Sequence, residues 1–525
     1  MAAALPRVTY SNIGADFSAL HAFLDAELPT FRTRMLGRAW PNIVAGRHDV
    51  SGRAYEVACP FDRDLLVARL VEADRKAVES AIAAAKTAQP GWAATPWRER
   101  VAVMRRFARE IDARKYELGM ATLFEVGKSR LEAIGEAEEA VDLVDWYCDE
   151  MEANDGFARQ MRRAVPNEET VCRLLPVGVF AVIAPFNFPV ALSCNMLGAC
   201  LVAGNAAVYK PSPQAGLSAT LLMEAARAAG IPDGVVNMLN GERTGALLVD
   251  AEGIDGIAFT GSHEVGMKIF RKVASGPYAR PVLCEMGGKN PAYVTAKADL
   301  DVAAEGVVRS AFGLQGEKCS ALSVAYVERS VHDRFLDLLA ERTRAIKVGN
   351  PEDKAVFVGP LIDDAAVERF EKAAKSARQA GRIVVGGNRL RSGAYANGHF
   401  VEPTIVADLP ADHWLNRDEL FLPFLSVQAF DTLPEAIARG NSIVYGLTAG
   451  IYTKDQAELD RFLQTAQAGV LYANRRSGAT TGAWPGFQTF CGWKGSGVDN
   501  KGGLGPWTLP RYMREQSLTL MHPQP

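Results

Sequence analysis

No Cys-x-x-Cys pair occurs in the 525 residues, and none of the seven histidines groups with the eight cysteines at 59, 148, 172, 194, 200, 284, 319 and 491. This scatter argues against a zinc site or a disulfide framework, so no metal is expected, and reduced thiols in a cytoplasmic protein are. No unbroken apolar run is long enough to cross a bilayer. The opening residues Met1-Ala2-Ala3-Ala4-Leu5-Pro6-Arg7 lack the charged start and apolar centre of a signal peptide. Charge of one sign is missing too: a net charge of −3 gives no field for nucleic acid or for an anionic membrane. There is no internal repeat and no low-complexity segment. What remains, 48% hydrophobic and 23% charged, has the make-up of an ordinary globular protein long enough for two or three domains.

Hydrophobic periodicity sets the expected order of elements. A helix is predicted around 17–31, a short strand and turn at Ile43-Val44-Ala45-Gly46, and a new unit from Pro60-Phe61-Asp62. Apolar residues then recur at helical spacing over 72–87, and further helices are predicted over 98–113, 115–126 and 130–153, with their charges on a solvated face. Beyond 169 the pattern changes. Phe180-Ala181-Val182-Ile183-Ala184 is short, continuous and apolar, as buried parallel strands are. Strands at 206–210, 235–239 and 256–260 alternate with helices at 190–203, 218–229 and 244–250, the rhythm of a doubly wound parallel sheet. A second α/β pattern follows Glu285-Met286-Gly287-Gly288-Lys289, with helices at 301–312, 331–347, 363–380 and 454–466. Its strands are predicted at 324–328, 401–406, 425–430 and 470–474, and 511–521 reads as a terminal strand.

Sheets of this kind place ligands at the carboxyl ends of their strands, and two strand ends carry candidates. One is Lys210-Pro211-Ser212. The other is Phe259-Thr260-Gly261-Ser262-His263-Glu264-Val265-Gly266, where a glycine turn entering a helix presents amides to a pyrophosphate. A plain strand-to-helix turn accounts for the same residues. The third candidate is Gly313-Leu314-Gln315-Gly316-Glu317-Lys318-Cys319-Ser320-Ala321. Its glycines let a bound group approach the backbone, and the neighbouring Lys318 favours the thiolate of Cys319, the nucleophilic form. A packed, inert thiol is the plainer alternative.

Laid in order, these segments resemble the aldehyde dehydrogenase superfamily over nearly the whole chain, from about Trp40 to Met521. Pro185-Phe186-Asn187-Phe188-Pro189 is similar to its proline-aromatic-Asn-Phe-Pro segment, Lys210-Pro211-Ser212 to its lysine motif, and Phe259-Thr260-Gly261-Ser262 to its nucleotide turn. Glu285-Met286-Gly287-Gly288-Lys289 resembles the general-base motif, and Gly316 with Cys319 the nucleophile motif. Glu419-Leu420-Phe421-Leu422-Pro423, Asn441 with Tyr445-Gly446-Leu447, and Gly492-Trp493-Lys494-Gly495-Ser496-Gly497 complete the series.

The resemblance implies an aldehyde dehydrogenase-like α/β fold of two doubly wound parallel-sheet domains plus a small β oligomerisation element. It divides the chain at 1–284 (extension and Rossmann-like cofactor domain, with a hairpin near 155–175), 285–478 (catalytic domain) and 479–525 (substrate-anchor loop and oligomerisation strand). It implies NAD(P)-dependent oxidation of an aldehyde to an acid in a homodimer or higher homo-oligomer, with NAD preferred and NADP possible. Cys319 would be the nucleophile, Asn187 the oxyanion donor and Glu285 the base that hydrolyses the thioester. Lys210, Ser212, Gly261, Ser262, Gly266, Glu419, Phe421 and Phe186 would hold the cofactor. A chain that keeps Glu285 is expected to hydrolyse its acyl intermediate and not to pass it to coenzyme A.

Within the superfamily the chain most resembles the Δ1-pyrroline-5-carboxylate (glutamate semialdehyde) dehydrogenases, through the segment 12–46, Lys318-Cys319-Ser320-Ala321, and Thr481-Gly482-Ala483 followed by Phe490. This implies a carboxylate anchor at Ser320, Gly482 and Ala483, with Phe490 against the aliphatic part of the substrate, L-glutamate gamma-semialdehyde. The departures are Cys491 for a glycine, the bulky Trp484, Pro485 and Phe487, His263 for a threonine, and Pro213 where NAD-preferring members carry a glutamate. An aromatic-lined pocket would take a larger or aromatic aldehyde instead. A catalytically silent binding protein on this fold and a cysteine hydrolase are the readings from other classes.

Overall fold

Val179–Ile183, five apolar residues all buried, is the third strand of a seven-stranded sheet. The protein is described here from a computed structural model that covers residues 5–9, 12, 15–476 and 484–523. The sheet runs Val282–Met286, Gly256–Gly261, Val179–Ile183, Ala206–Lys210, Val236–Met238, Asn42–Val44, Arg47–Asp49. Its first five strands are parallel, and the last two form an antiparallel edge hairpin. Successive side chains leave opposite faces of a strand, so Phe180 and Val182 join a core with the helices Ala191–Val202 and Gly216–Ala228. Val179, Ala181 and Ile183 join another with Arg75–Ala94 and His263–Ala274. Covered on both faces, these strands need no polar alternation, which is why they read as continuous apolar runs.

A second seven-stranded sheet runs Arg382–Val385, Thr404–Ala407, Phe424–Phe430, Leu322–Glu328, Asn290–Val294, Thr448–Tyr452, Val470–Ala473. Only its first pair is antiparallel. The strand Asn290–Val294 escapes sequence reading because it holds Pro291, a residue that central strands normally exclude. The ladder tolerates it through a register shift between Asn290 and Pro291. A small antiparallel sheet joins Ala158–Gln160, Glu168–Pro176 and Met513–Met521.

Two further departures concern the amino-terminal half. Residues 53–72 form the antiparallel strands Arg53–Cys59 and Asp62–Glu72, joined to Arg38–Trp40. Exposed charges along them hide the alternation, and the helix starts only at Arg75, where Asp74 accepts a hydrogen bond from the Ala77 amide at 2.8 Å. The second departure concerns the charges of 98–153, which were expected on a solvated face. On the helix Arg130–Ala153, Glu132, Glu136 and Glu138 are buried, as is Lys128 just before it. They escape the cost of burial because each has a partner on another segment. Among the described residues, no helix is long and apolar enough to cross a membrane.

Phe180, fully buried beside Tyr512 and Gly256, anchors the centre of the first sheet. Phe180→Ala is expected to cost about 3–5 kcal/mol of stability, read as a lowered denaturant midpoint with the transition slope unchanged.

Candidate active site

The helix Leu300–Phe312 begins at Asp299, whose carboxylate accepts from the Val302 amide at 3.2 Å, and ends at Gly313. The chain then passes through three left-handed residues, Leu314 (φ 46°), Gln315 (φ 55°) and Gly316 (φ 68°). For the two that carry side chains this conformation costs about 1–2 kcal/mol each. Buried contacts hold them: the Leu314 amide donates to Glu132 Oε2 at 3.2 Å, and Gln315 Oε1 accepts from the Gly359 amide at 3.1 Å. Gly316 is required by space as well, since a Cβ there would lie 2.2 Å from the Leu422 carbonyl oxygen. This turn delivers Cys319 to the mouth of the strand Leu322–Glu328.

Cys319, Asn187 and Glu285 line one cavity of about 1000 Å³. Asn187, buried, donates from Nδ2 to the Glu317 carbonyl at 2.9 Å, which ties its loop to the nucleophile turn. Glu285 ends the strand Val282–Met286 and lies 3.3 Å from Arg511 Nη1. Burial pushes its carboxyl up, while the Arg511 guanidinium opposes that shift. Lys318 does not serve the thiol. Its Nζ is buried against Glu132 Oε1 at 2.9 Å. Burial, with Glu419 and Glu285 nearby, pushes the Cys319 thiol up to about 12. The expectation that Lys318 favours the thiolate is corrected: the cation is held by another carboxylate on the far side of the turn.

The same cavity runs to the carboxyl ends of the first sheet, past Ile183, Lys210 and Gly261. Lys210 and Ser212 line it, and burial pushes the Lys210 ammonium down to about 8. Ser262 caps the helix His263–Ala274, accepting from the Val265 amide at 3.4 Å. Phe186 and Phe421 meet edge to face at 5.8 Å on the opposite wall. Glu419 accepts from the Gly288 amide at 3.1 Å, and its carboxyl is pushed up to about 7 by burial. A Cβ on Gly287 would sit 1.8 Å from that carboxylate, so the glycine pair makes room for Glu419. Gly266 is absent from the cavity lining; a Cβ on it would meet Met286 Sδ at 2.4 Å, a matter of helix-on-strand packing.

On the other side of Cys319, Phe490 lines the cavity, while Ser320 is buried outside its lining. Gly482 and Ala483 lie outside the described residues. The bulky departures turn away from the cavity. Trp484 donates from Nε1 to Asp142 at 2.6 Å, Phe487 is 88% exposed, and the Cys491 thiol points to the Gly469 carbonyl at 3.4 Å. His263 pairs through Nδ1 with the Gly495 carbonyl at 2.8 Å. Sequence reading missed Arg511 and Glu132. Each acts on a site residue far along the chain, 226 and 186 residues away, and nothing local to either signals the contact.

Known proteins resemble this chain over most of its length. The profile described as "Aldehyde dehydrogenase family" matches residues 47–518. A 1-pyrroline-5-carboxylate dehydrogenase of Bacillus licheniformis is 34% identical over 502 residues, covering 94% of this chain and 95% of that protein. A 1-pyrroline-5-carboxylate dehydrogenase from Thermus, solved with bound NAD, superposes with a TM-score of 0.92 at 29% identity, covering 99% of this chain and all of that one. Proline utilization A from Bdellovibrio bacteriovorus gives a TM-score of 0.91 at 32% identity over 97% of this chain, which spans 52% of that longer one.

Two outcomes follow from the buried charges. Inactivation of the resting protein by iodoacetamide is expected to accelerate about tenfold per pH unit up to about pH 10; a plateau below about pH 8.5 would reveal a thiolate already formed. Lys318→Met strands Glu132 in the interior and is expected to cost about 3–5 kcal/mol in a denaturant titration.

Proposed function

Since the chain belongs to the aldehyde dehydrogenase family, we propose that it oxidises L-glutamate gamma-semialdehyde to L-glutamate with NAD, through a covalent adduct on Cys319. The observation that carries this reading is the meeting of Cys319, Asn187 and Glu285 in one cavity that continues to Lys210 and Glu419. A silent binding protein has no use for that trio, and a cysteine hydrolase needs a basic partner for its thiol. Among the described residues no histidine lines this cavity.

The cofactor's fit rests on the cavity itself. It is large enough for a dinucleotide and lies at the carboxyl ends of parallel strands. It also meets the amino end of the helix His263–Ala274, where free amides suit a pyrophosphate. Lys210 and Ser212 would hold the adenosine ribose, Glu419 the nicotinamide ribose, and Phe186 and Phe421 would pack beside it. Held by these residues, the cofactor would supply a hydride acceptor for the carbon being oxidised.

The protein's own residues supply the rest. The Cys319 thiol gives its proton to solvent water as sulfur bonds to the aldehyde carbon, and the carbonyl π electrons move to oxygen, which becomes an oxyanion. One N–H of the Asn187 amide is spent on Glu317; the other, with the Cys319 backbone N–H, would stabilise that oxygen. After oxidation the carbon is a thioester. Glu285 takes a proton from water as the water oxygen attacks, the C–S bond breaks, and the sulfur leaves as thiolate. For the substrate, Ser320, Gly482 and Ala483 would anchor the carboxylate and Phe490 would cover the methylenes. The absence of Trp484, Phe487 and Cys491 from the cavity lining favours this substrate over a larger aromatic aldehyde.

We assign the first seven-stranded sheet to cofactor binding and the second to the nucleophile. The small sheet leaves Met161, Val165, Leu520 and Met521 exposed at its edge, which supports assembly into a homodimer or higher homo-oligomer. Eight free cysteines suit the reducing cytoplasm.

The test is reduced-cofactor formation with glutamate semialdehyde beside aliphatic and aromatic aldehydes, using NAD and NADP in parallel. Preference for glutamate semialdehyde with NAD is expected, and preference for an uncharged aldehyde would overturn the anchor. Cys319→Ala is expected to abolish turnover. Glu285→Gln should keep a first burst of reduced cofactor while the steady rate falls about 10²–10⁴-fold.

A further inference from the structure

We propose that Arg511 is a positioning residue for the base: it steadies Glu285 at the wall of the cavity and keeps its carboxylate ionised for the hydrolytic step. The inference rests on the reaction proposed above.

Arg511 closes the short helix Thr508–Arg511, and its side chain is 5% exposed. Its Nε lies 2.8 Å from Asp499 Oδ2 and its Nη2 3.1 Å from Oδ1, a two-pronged pairing that fixes the guanidinium plane. The remaining prong, Nη1, reaches Glu285 Oε1 at 3.3 Å. These contacts are unequal, so Asp499 holds the arginine and the arginine lends its charge to Glu285. The frame is rigid as well: the Met286 amide donates to the Ser496 carbonyl at 3.0 Å, and Glu285 bridges Gly497. The segment that carries Asp499 is thus sewn to the strand that carries Glu285. The single longer contact leaves Glu285 free to swing toward Cys319 while Arg511 stays in place.

Other titratable groups around Glu285 do not replace that charge. Cys284, Cys319 and Cys491, and the phenols of Tyr147 and Tyr512, are all raised by burial, which leaves them neutral near pH 7. Asp499 is an anion and works in the opposite sense. Among the described residues, Arg511 is the one cation paired with this carboxylate. Without it, burial and Asp499 push that carboxyl up with no cation to oppose them, and a carboxyl that holds its proton cannot accept one from water.

The experiment compares the pH profiles of wild type, Arg511→Gln and Arg511→Lys, with NAD binding and thermal unfolding as controls for folding. Steady-state turnover and the pre-steady-state burst of reduced cofactor are followed in parallel. In Arg511→Gln the acid limb of kcat is expected to move to higher pH by about one unit or more, so turnover near pH 7 falls about tenfold. The burst survives, because acylation does not need the base. Arg511→Lys, which keeps the charge without the fork, is expected to restore most of the limb. An unmoved limb in Arg511→Gln, or equal shifts in both variants, overturns the inference. A wild type that reduces no cofactor with any aldehyde overturns the reaction itself, an outcome distinct from an active wild type with indifferent variants.

Discussion

Glu132 and Glu136 stand one turn apart on the helix Arg130–Ala153, so their carboxylates leave the same face and reach two different loops. Glu132 takes the Leu314 amide and the Lys318 ammonium, both in the nucleophile turn. Glu136 takes the Val190 and Ala191 amides at 2.7 and 3.1 Å and pairs with Lys128 at 2.5 Å. Lys128 in turn lies over the Phe188 ring at 3.7 Å, next to Asn187. The loops that carry the thiol and the amide are therefore hung from one rod, in an interior where an unpaired charge is expensive. Stabilising a developing oxyanion needs donors fixed before the charge appears, and this arrangement fixes them.

Burial acts on the ionisable groups of the cavity irrespective of sign. It raises the Cys319 thiol to about 12 and Glu419 to about 7, and lowers Lys210 to about 8. The resting sulfur is consequently uncharged. Charge that arises during a reaction there meets oriented amides and a few held ions, with little bulk water to screen it.

Much of this was legible in one dimension. The strands Val179–Ile183 and Ala206–Lys210 announce themselves because both faces are covered and every position must be apolar. The trio Cys319, Asn187 and Glu285 came from the family resemblance, which short glycine- or proline-marked segments carry. Strands Arg53–Cys59 and Asp62–Glu72 were not legible, since they expose charged residues along an outer sheet. Pro291 disguised a central strand. The partners that tune the site, Glu132 for Lys318 and Arg511 for Glu285, were out of reach because pairing across such spans is settled only by tertiary packing.

The small sheet has a consequence for how the molecule comes into being. Met513–Met521 pairs with Glu168–Pro176, and Cys172 meets Glu515 across 343 residues of intervening chain. Arg511 precedes that last strand by two residues. A nascent chain emerging from the ribosome holds its thiol and its base long before it holds either the final strand or the arginine. Contacts of such long reach form late. Completion of the base and completion of the strand-bearing edge thus wait on the same short stretch of chain.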